Sequence, residues 1–145
     1  MPSPEVKTKI IRFCARRERS QREVNDKIRE LQAPTQWLEE LQQEGWWNQE
    51  RFAKAYAFDH WNLHHWGKGK INQELKAEGV AAELRALAVN TIPQEEYILK
   101  LARMIQRKIP KEPLTEEKKY KLRMHFLRKG YTFADIEFAR QDLSS

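Results

Sequence analysis

Two histidines, His60 and His64, stand four residues apart in a stretch that reads as helix, a spacing that puts both imidazoles on one face and can serve a zinc ion. The context argues against that chemistry. The residue after His60 is Trp61, where the metalloprotease pattern needs a catalytic glutamate, and no carboxylate or cysteine pair completes a ligand set. The one cysteine, Cys14, lies beside Phe13 on an apolar face, which suits packing rather than nucleophilic attack. It cannot close an internal disulfide, in agreement with a reducing compartment. No Gly-rich phosphate loop is present. The residues therefore point to a non-enzyme without cofactor or metal.

Cationic chemistry is what remains. Lys and Arg number 27 against 21 Asp and Glu, a formal net charge of +6, and the pI is near 9.5. Such a balance favours acidic partners: nucleic acid, a nucleoprotein or an anionic surface. Lys100, Arg103, Arg107 and Lys111 follow a helical spacing that keeps them off the apolar stripe of Ile98, Leu101 and Ile105, and Lys118, Lys119, Lys121, Arg123, Arg128 and Lys129 follow close behind. A second basic patch is Arg12, Arg16, Arg17 and Arg19, with Lys68 and Lys70 as contributors. Taken singly, each of these is a solvated side chain. As clusters they would grip phosphates or an acidic groove with salt-dependent, sequence-tolerant affinity. Glu30, Glu39, Glu40, Glu44 and Glu50 make one stretch acidic, so the surface is expected to be bipolar, which suits a protein filament better than bare DNA. Trp46, Trp47, Trp61 and Trp66 could anchor an interface, but bulky side chains in small cores usually fill junctions, and packing is the reading adopted.

Helices must carry these groups. Charged residues make up 33% of the chain and apolar residues 40%, with a mean hydropathy of -0.86: too apolar for a disordered polymer, yet with material for only a thin core. Gly and Pro total 5 and 6, and nearly all of them separate segments of helical period. A recurring segment reveals the organisation. Ser20 leads into Val24 and Ile28, Gly67 leads into Ile71 and Leu75 at an offset of 47 residues, and Leu122 with Phe126 lies 51 beyond the second copy. Repeats of this size mark stacked helical units. The expected fold is all-α, an elongated tandem array of three three-helix units: 5–45, 46–92 and 93–145, after a disordered 1–4.

Local signals support these limits. Ser20 with Glu23 forms a capping box, Pro34 suits the first turn of a third helix, and Asn48 caps a long helix bearing Phe52, Tyr56 and Leu63 that runs to Trp66. Gly45, Gly79 and Gly130 stop helices. Val80, Leu84, Leu87 and Ala88 line a sixth helix, Thr115 opens an eighth, and Tyr131, Phe133, Ile136 and Phe138 of the last segment should pack back on their unit. Val24, Ile28, Phe52, Ile71, Leu75, Leu122 and Phe126 form the repeat core. No apolar run approaches the roughly 20 residues that span a bilayer, and the first residues lack the apolar core of a secretory signal. A cytoplasmic monomer with no membrane association is expected.

The segments CARRERSQREVNDKI at Cys14–Ile28, GWWNQERFAKAY at Gly45–Tyr56 and GKGKINQELKAEGV at Gly67–Val80, followed by the weaker FLRKGYTFADI at Phe126–Ile136, together resemble the RecX family in order and separation over nearly the whole chain. The sequence departs from the family pattern where Asn48 and Gln49 precede Glu50 in place of acidic residues, and in a short stretch from Leu31 to Gly45. The resemblance implies a non-enzymatic partner of the RecA recombinase filament, built of tandem three-helix units. Such a protein limits filament growth, ATP hydrolysis and strand exchange in DNA repair, recombination and the SOS response. The alternative from another class is a sequence-tolerant DNA-binding helical protein that uses the same basic faces on phosphate.

Overall fold

The computed structural model describes residues 3–109 and 113–144, with side chains as far as residue 141. The described residues form nine helices and no strand: α1 Pro4–Arg16, α2 Gln21–Glu30, α3 Trp37–Gln43, α4 Gln49–His64, α5 Lys68–Ala77, α6 Ala82–Asn90, α7 Gln94–Lys108, α8 Glu116–Arg128 and α9 Phe133–Ser144. The fold is all-α and built of three-helix repeats. Pro4 occupies the first turn of α1, where its missing N–H costs nothing. The first helix thus starts one residue before Glu5, with Ser3 extended ahead of it; of the segment expected to be disordered, Met1 and Pro2 lie outside the described residues.

Helix ends follow from short-range chemistry. Ser20 is fully buried and makes the capping box with Glu23: its hydroxyl accepts from the Glu23 amide at 3.0 Å, and the Glu23 carboxylate accepts from the Ser20 amide at 3.1 Å. Asn48, Thr115 and Thr132 cap α4, α8 and α9 in the simpler way, each side-chain oxygen accepting from an amide three residues on. Three helices close alike. After α3, α5 and α8 a glycine turns left-handed (Gly45 at φ 83°, Gly79 at 84°, Gly130 at 103°), and the next residue donates back to a carbonyl five residues earlier, Trp46 to Leu41, Val80 to Leu75 and Tyr131 to Phe126. Pro34 is not in α3 but ahead of it; its carbonyl accepts from Trp37, so it starts the turn that leads into the helix. The fourth helix ends at His64 rather than Trp66, because His65 takes φ 61°.

The chain divides into two compact units, Met1–Tyr56 with Glu74–Ala88 and Ala57–Gln73 with Val89–Ser145. In the first, Ile10, Cys14, Val24, Ile28, Leu41 and Trp47 form a core edged by Val6, Phe13, Leu31 and Trp37. Burial raises the Cys14 thiol above its ordinary range, which keeps it a protonated packing group. In the second, α7 lies along α9, and Ile98, Leu101, Ala102, Ile105, Leu122, Phe126, Tyr131 and Ile136 are buried. Val24, Ile28, Ile71 and Leu75 have no exposed surface, and Phe52, Leu122 and Phe126 are also buried. Four apolar residues expected to pack do not: Leu63, Leu87, Phe133 and Phe138 are each at least half exposed. Their spacing selects a helix face, but the described residues leave at least half of each side chain open.

Within the second unit the turn before α5 meets the turn before α9 main chain to main chain. Gly67 donates to the Lys129 carbonyl at 2.7 Å and Gly69 to the Gly130 carbonyl at 3.0 Å. A Cβ on Gly67 would stand 2.6 Å from the Gly130 oxygen, and one on Gly130 would stand 2.6 Å from the Lys70 Cβ, so the two turns touch only because side chains are missing. Tyr131 donates to the His65 carbonyl, the Tyr97 hydroxyl accepts from the Lys68 amide, and the two phenol rings lie 5.2 Å apart. Burial pushes both tyrosines well above their ordinary titration range, so the clasp stays uncharged.

Candidate partner interface

The cations sort by what already holds them. Arg19, read above as a surface charge, is buried: its Nε donates to the Phe13 carbonyl at 2.8 Å, its guanidinium lies 3.8 Å from the centre of the Phe13 ring, and Nη1 stands 3.5 Å from Glu23. It ties the end of α1 to the cap of α2. Arg17 pairs with the same carboxylate at 2.6 Å. Burial alone would raise the pKa of Glu23, yet the Ser20 amide, Arg17 and Arg19 outweigh it and hold it below its ordinary value. Lys100 is also largely spent. Its ammonium donates to the carbonyls of Trp61 at 2.9 Å and Asn62 at 2.7 Å, satisfying the open end of α4, and burial lowers its pKa. Lys68 bonds to Gln94 and lies over the Tyr97 ring, and Lys70 lies over Trp66 at 4.5 Å. Lys119 pairs with Glu116, and Arg123 reaches Glu137 and stacks on Phe133. Lys118 is half-buried beside a second cleft, and Lys111 lies outside the described residues.

Arg12, Arg16, Arg103, Arg107 and Arg128 remain, all exposed and with no carboxylate in ion-pair range among the described residues. Arg103 and Arg107 stand one helical turn apart, about 6 Å along α7. They line a cleft of about 390 Å³ with Trp61, Asn62, His65 and Lys100, and Glu96 is the one acid in its wall among the described residues. A second cleft, of about 430 Å³, is lined by Lys108, Lys118, Lys121 and His125 between Leu114 and Leu122. The imidazoles register this field. Burial lowers the pKa of His65, and Lys100, Lys129, Arg107 and His64 lower it further; for His125, burial acts with Lys108, Lys129 and Arg128. His65 Nδ1, His125 Nε2 and the Trp61 indole nitrogen are buried without a hydrogen-bond partner among the described residues. Both clefts are therefore suited to an anion, which would relieve crowded positive charge.

Lys108 and the two histidines did not stand out in the sequence. Lys108 follows Lys100 by eight residues, about 80° round the helix, so it falls in a different cleft from Lys100 and helical spacing alone does not single it out. His65 could not be found that way, because its position depends on a left-handed backbone at a non-glycine residue. His60 and His64 stack at 5.0 Å, with His60 4.5 Å from Trp66, and no group of three or more His, Cys, Asp or Glu able to hold a metal forms among the described residues. Of the tryptophans, Trp47 and Trp61 are buried, Trp66 is half-buried, and Trp46 is partly exposed with its indole donating to Glu44.

Residues 48–89 match the family model for the RecX second three-helix domain. The chain is 26% identical over 136 residues to the regulatory protein RecX of Bacillus pumilus, covering 90% of this chain and 52% of that one. Against the regulatory protein RecX of Oceanobacillus iheyensis it is 24% identical over 144 residues, covering 95% and 53%. The chain is thus similar to RecX proteins along nearly its whole length, and its middle stretch matches their second three-helix domain. It spans about half the length of the curated RecX relatives it matches. Its fold is that of the RecX crystal structure from Lactobacillus salivarius, with a TM-score of 0.84 at 18% identity over 97% of this chain and 95% of that one. A second RecX crystal structure gives 0.76 at 19% identity over 94% and 70%. The RecX model covers α4, α5 and all of α6 but Asn90, whereas the unpaired arginines lie on α1, α7 and α8, outside the matched span. No helix of the described residues is long and apolar enough to cross a membrane.

Proposed function

We propose that this RecX-like chain binds a recombinase–DNA filament and restrains it, slowing ATP turnover, filament extension and strand exchange without doing chemistry of its own. The observation that carries the reading is the pair Arg103 and Arg107, uncompensated on one wall of a cleft whose own histidine is already pressed by surrounding cations. Leaving such charge unpaired costs self-repulsion, and an acidic groove or a run of phosphates relieves it. The names of the relatives, regulatory proteins, support the same direction. Three three-helix units, bounded near residues 45 and 92, would be the scaffold; Arg12, Arg16 and Arg128 would add contacts at the first and third. A protein lodged on the filament restrains it by binding one arrangement of adjacent recombinase subunits better than the other, which holds back the motion that turnover needs.

The test adds the chain, substoichiometric to recombinase, to RecA filaments on single-stranded DNA. Turnover should fall and filaments should shorten; unchanged turnover and length reject the reading. Arg103→Ala with Arg107→Ala should weaken the effect and reduce the slope of log affinity against log salt by about 1.5, the share of two phosphate contacts. Equal, strongly salt-dependent binding to naked duplex with no preference for filament would favour the simpler DNA-binding reading.

A further inference from the structure

The other side of α7 carries different chemistry. Between α7 and α9 runs a groove of about 660 Å³, with Ile98, Leu99, Ala134 and Phe138 as its apolar lining and Glu95 and Asp135 among its walls. Phe138 is 61% exposed and Leu99 42%, so large apolar side chains face an open slot rather than a core. Neither Glu95 nor Asp135 has a cation in ion-pair range among the described residues. Asp135 still acts on its surroundings: burial raises the pKa values of Tyr97 and Tyr131 and Asp135 adds to that rise, while at Lys68 burial lowers the pKa and Asp135 opposes it. Gln94, at the head of α7, is held by the Lys68 ammonium at 3.0 Å, which fixes one end of the slot.

We infer that this groove docks a protein segment that presents a bulky apolar side chain flanked by lysine or arginine, and that the segment lies on the recombinase subunits of the filament. The assignment rests on the proposed filament partner and adds a second, apolar point of attachment to it. Phosphates do not fit the slot, since Glu95 and Asp135 would repel them. The volume lies in the range of pockets that enclose several side-chain-sized groups, and a buried apolar anchor within a charged rim is the usual source of most of an interface's affinity. Among the described residues of a second copy of this chain, Tyr120 is an exposed aromatic with a lysine on either side. Its neighbours Lys119 and Lys121 already pair with Glu116 and Glu117, so it presents a neutralised rim and a poor complement. Leu99 lines both this groove and the cationic cleft, so one partner surface reaching across α7 can engage both.

The experiment compares the wild-type chain with Phe138→Ser and Glu95→Lys in co-sedimentation with RecA filaments on single-stranded DNA, with naked single-stranded DNA as the parallel arm. Both substituted residues are exposed, and circular dichroism checks that the variants fold. Filament affinity should fall at least tenfold in each variant, with binding to naked DNA and the salt slope unchanged in Phe138→Ser and naked-DNA binding not reduced in Glu95→Lys, whose added charge can only favour phosphate. Variants that bind filament like the wild type overturn the inference. So does an equal loss on naked DNA, which would make the groove a nucleic-acid site, or a wild-type dimer that both Phe138→Ser and Tyr120→Ser dissolve, which would make the occupant a second copy. A wild-type chain that fails to bind filament removes the filament reading itself, and the docking assignment with it.

Discussion

Replacing Gly130 by alanine should damage the second compact unit far more than the same change at Gly79, although both glycines end a helix in the same manner. Gly79 has φ 84° with nothing within 4 Å of an added Cβ, so alanine there pays only for a left-handed backbone. That penalty is about 1–2 kcal/mol, partly offset by about 0.4–1 kcal/mol from the stiffer unfolded chain. The net cost is about 1 kcal/mol. Gly130 has φ 103°, and its Cβ would fall 2.6 Å from the Lys70 Cβ and 2.9 Å from the Gly67 carbonyl oxygen, with the Lys70 amide nitrogen closer still. Main chain cannot swing aside like the end of a lysine, so an overpacking cost of about 1–3 kcal/mol is added. The expected total is about 2–4 kcal/mol, or roughly 4–16 °C in Tm for a chain of this size. Urea titrations of both variants, followed by tryptophan fluorescence and circular dichroism, measure the difference. If Gly130→Ala costs no more than Gly79→Ala, the turns can part without loss and the close approach is not what holds them.

Ser20→Ala removes the hydroxyl half of a buried capping box, leaving only the residue-20 amide on the Glu23 carboxylate, and should cost about 1–2 kcal/mol in thermal melts; an unchanged Tm would show that water or Arg19 replaces the cap. The histidines give a pH dependence of fixed sign. His65 and His125 have native pKa values below the ordinary 6.5, so the unfolded chain takes up protons first as pH falls. Their contribution is whole above about pH 6.5 and declines as pH falls toward the native values, before ordinary carboxylates titrate. His65→Asn, whose side chain tolerates a left-handed backbone, combined with His125→Gln should flatten the denaturation midpoint between pH 7 and 5. A slope as steep as that of the wild type would place the proton uptake elsewhere.

The parts of this fold that were legible in the sequence are those written in local chemistry. Ser20 three residues before Glu23, or a glycine after a run of helical period, states a helix end without reference to anything distant. Apolar pairs four apart, such as Val24 and Ile28, state which side of a helix faces inward. The failures share one cause. Arg19 looked like one more cation in a basic run, because its burial depends on where the Phe13 ring and carbonyl lie after α1 ends. Lys100 looked free, because the open carbonyls of α4 come from residues nearly 40 positions away. Leu63 and Phe138 follow the helical period and are still exposed, since periodicity names a face and not whether another helix covers it. The clefts likewise needed the tertiary fold, which brings the end of α4 to α7 in one and the end of α7 to α8 in the other.

The meeting of Gly67 and Gly69 with Lys129 and Gly130 is a lock cut entirely from main-chain atoms. Its bonds are indifferent to what the neighbouring residues carry, and its only demand is that three positions carry nothing. The lysines in these turns, Lys68, Lys70 and Lys129, can therefore be exchanged for other residues without touching those bonds. A regulator could retune its charge for a different partner at this place while its architecture stays fixed.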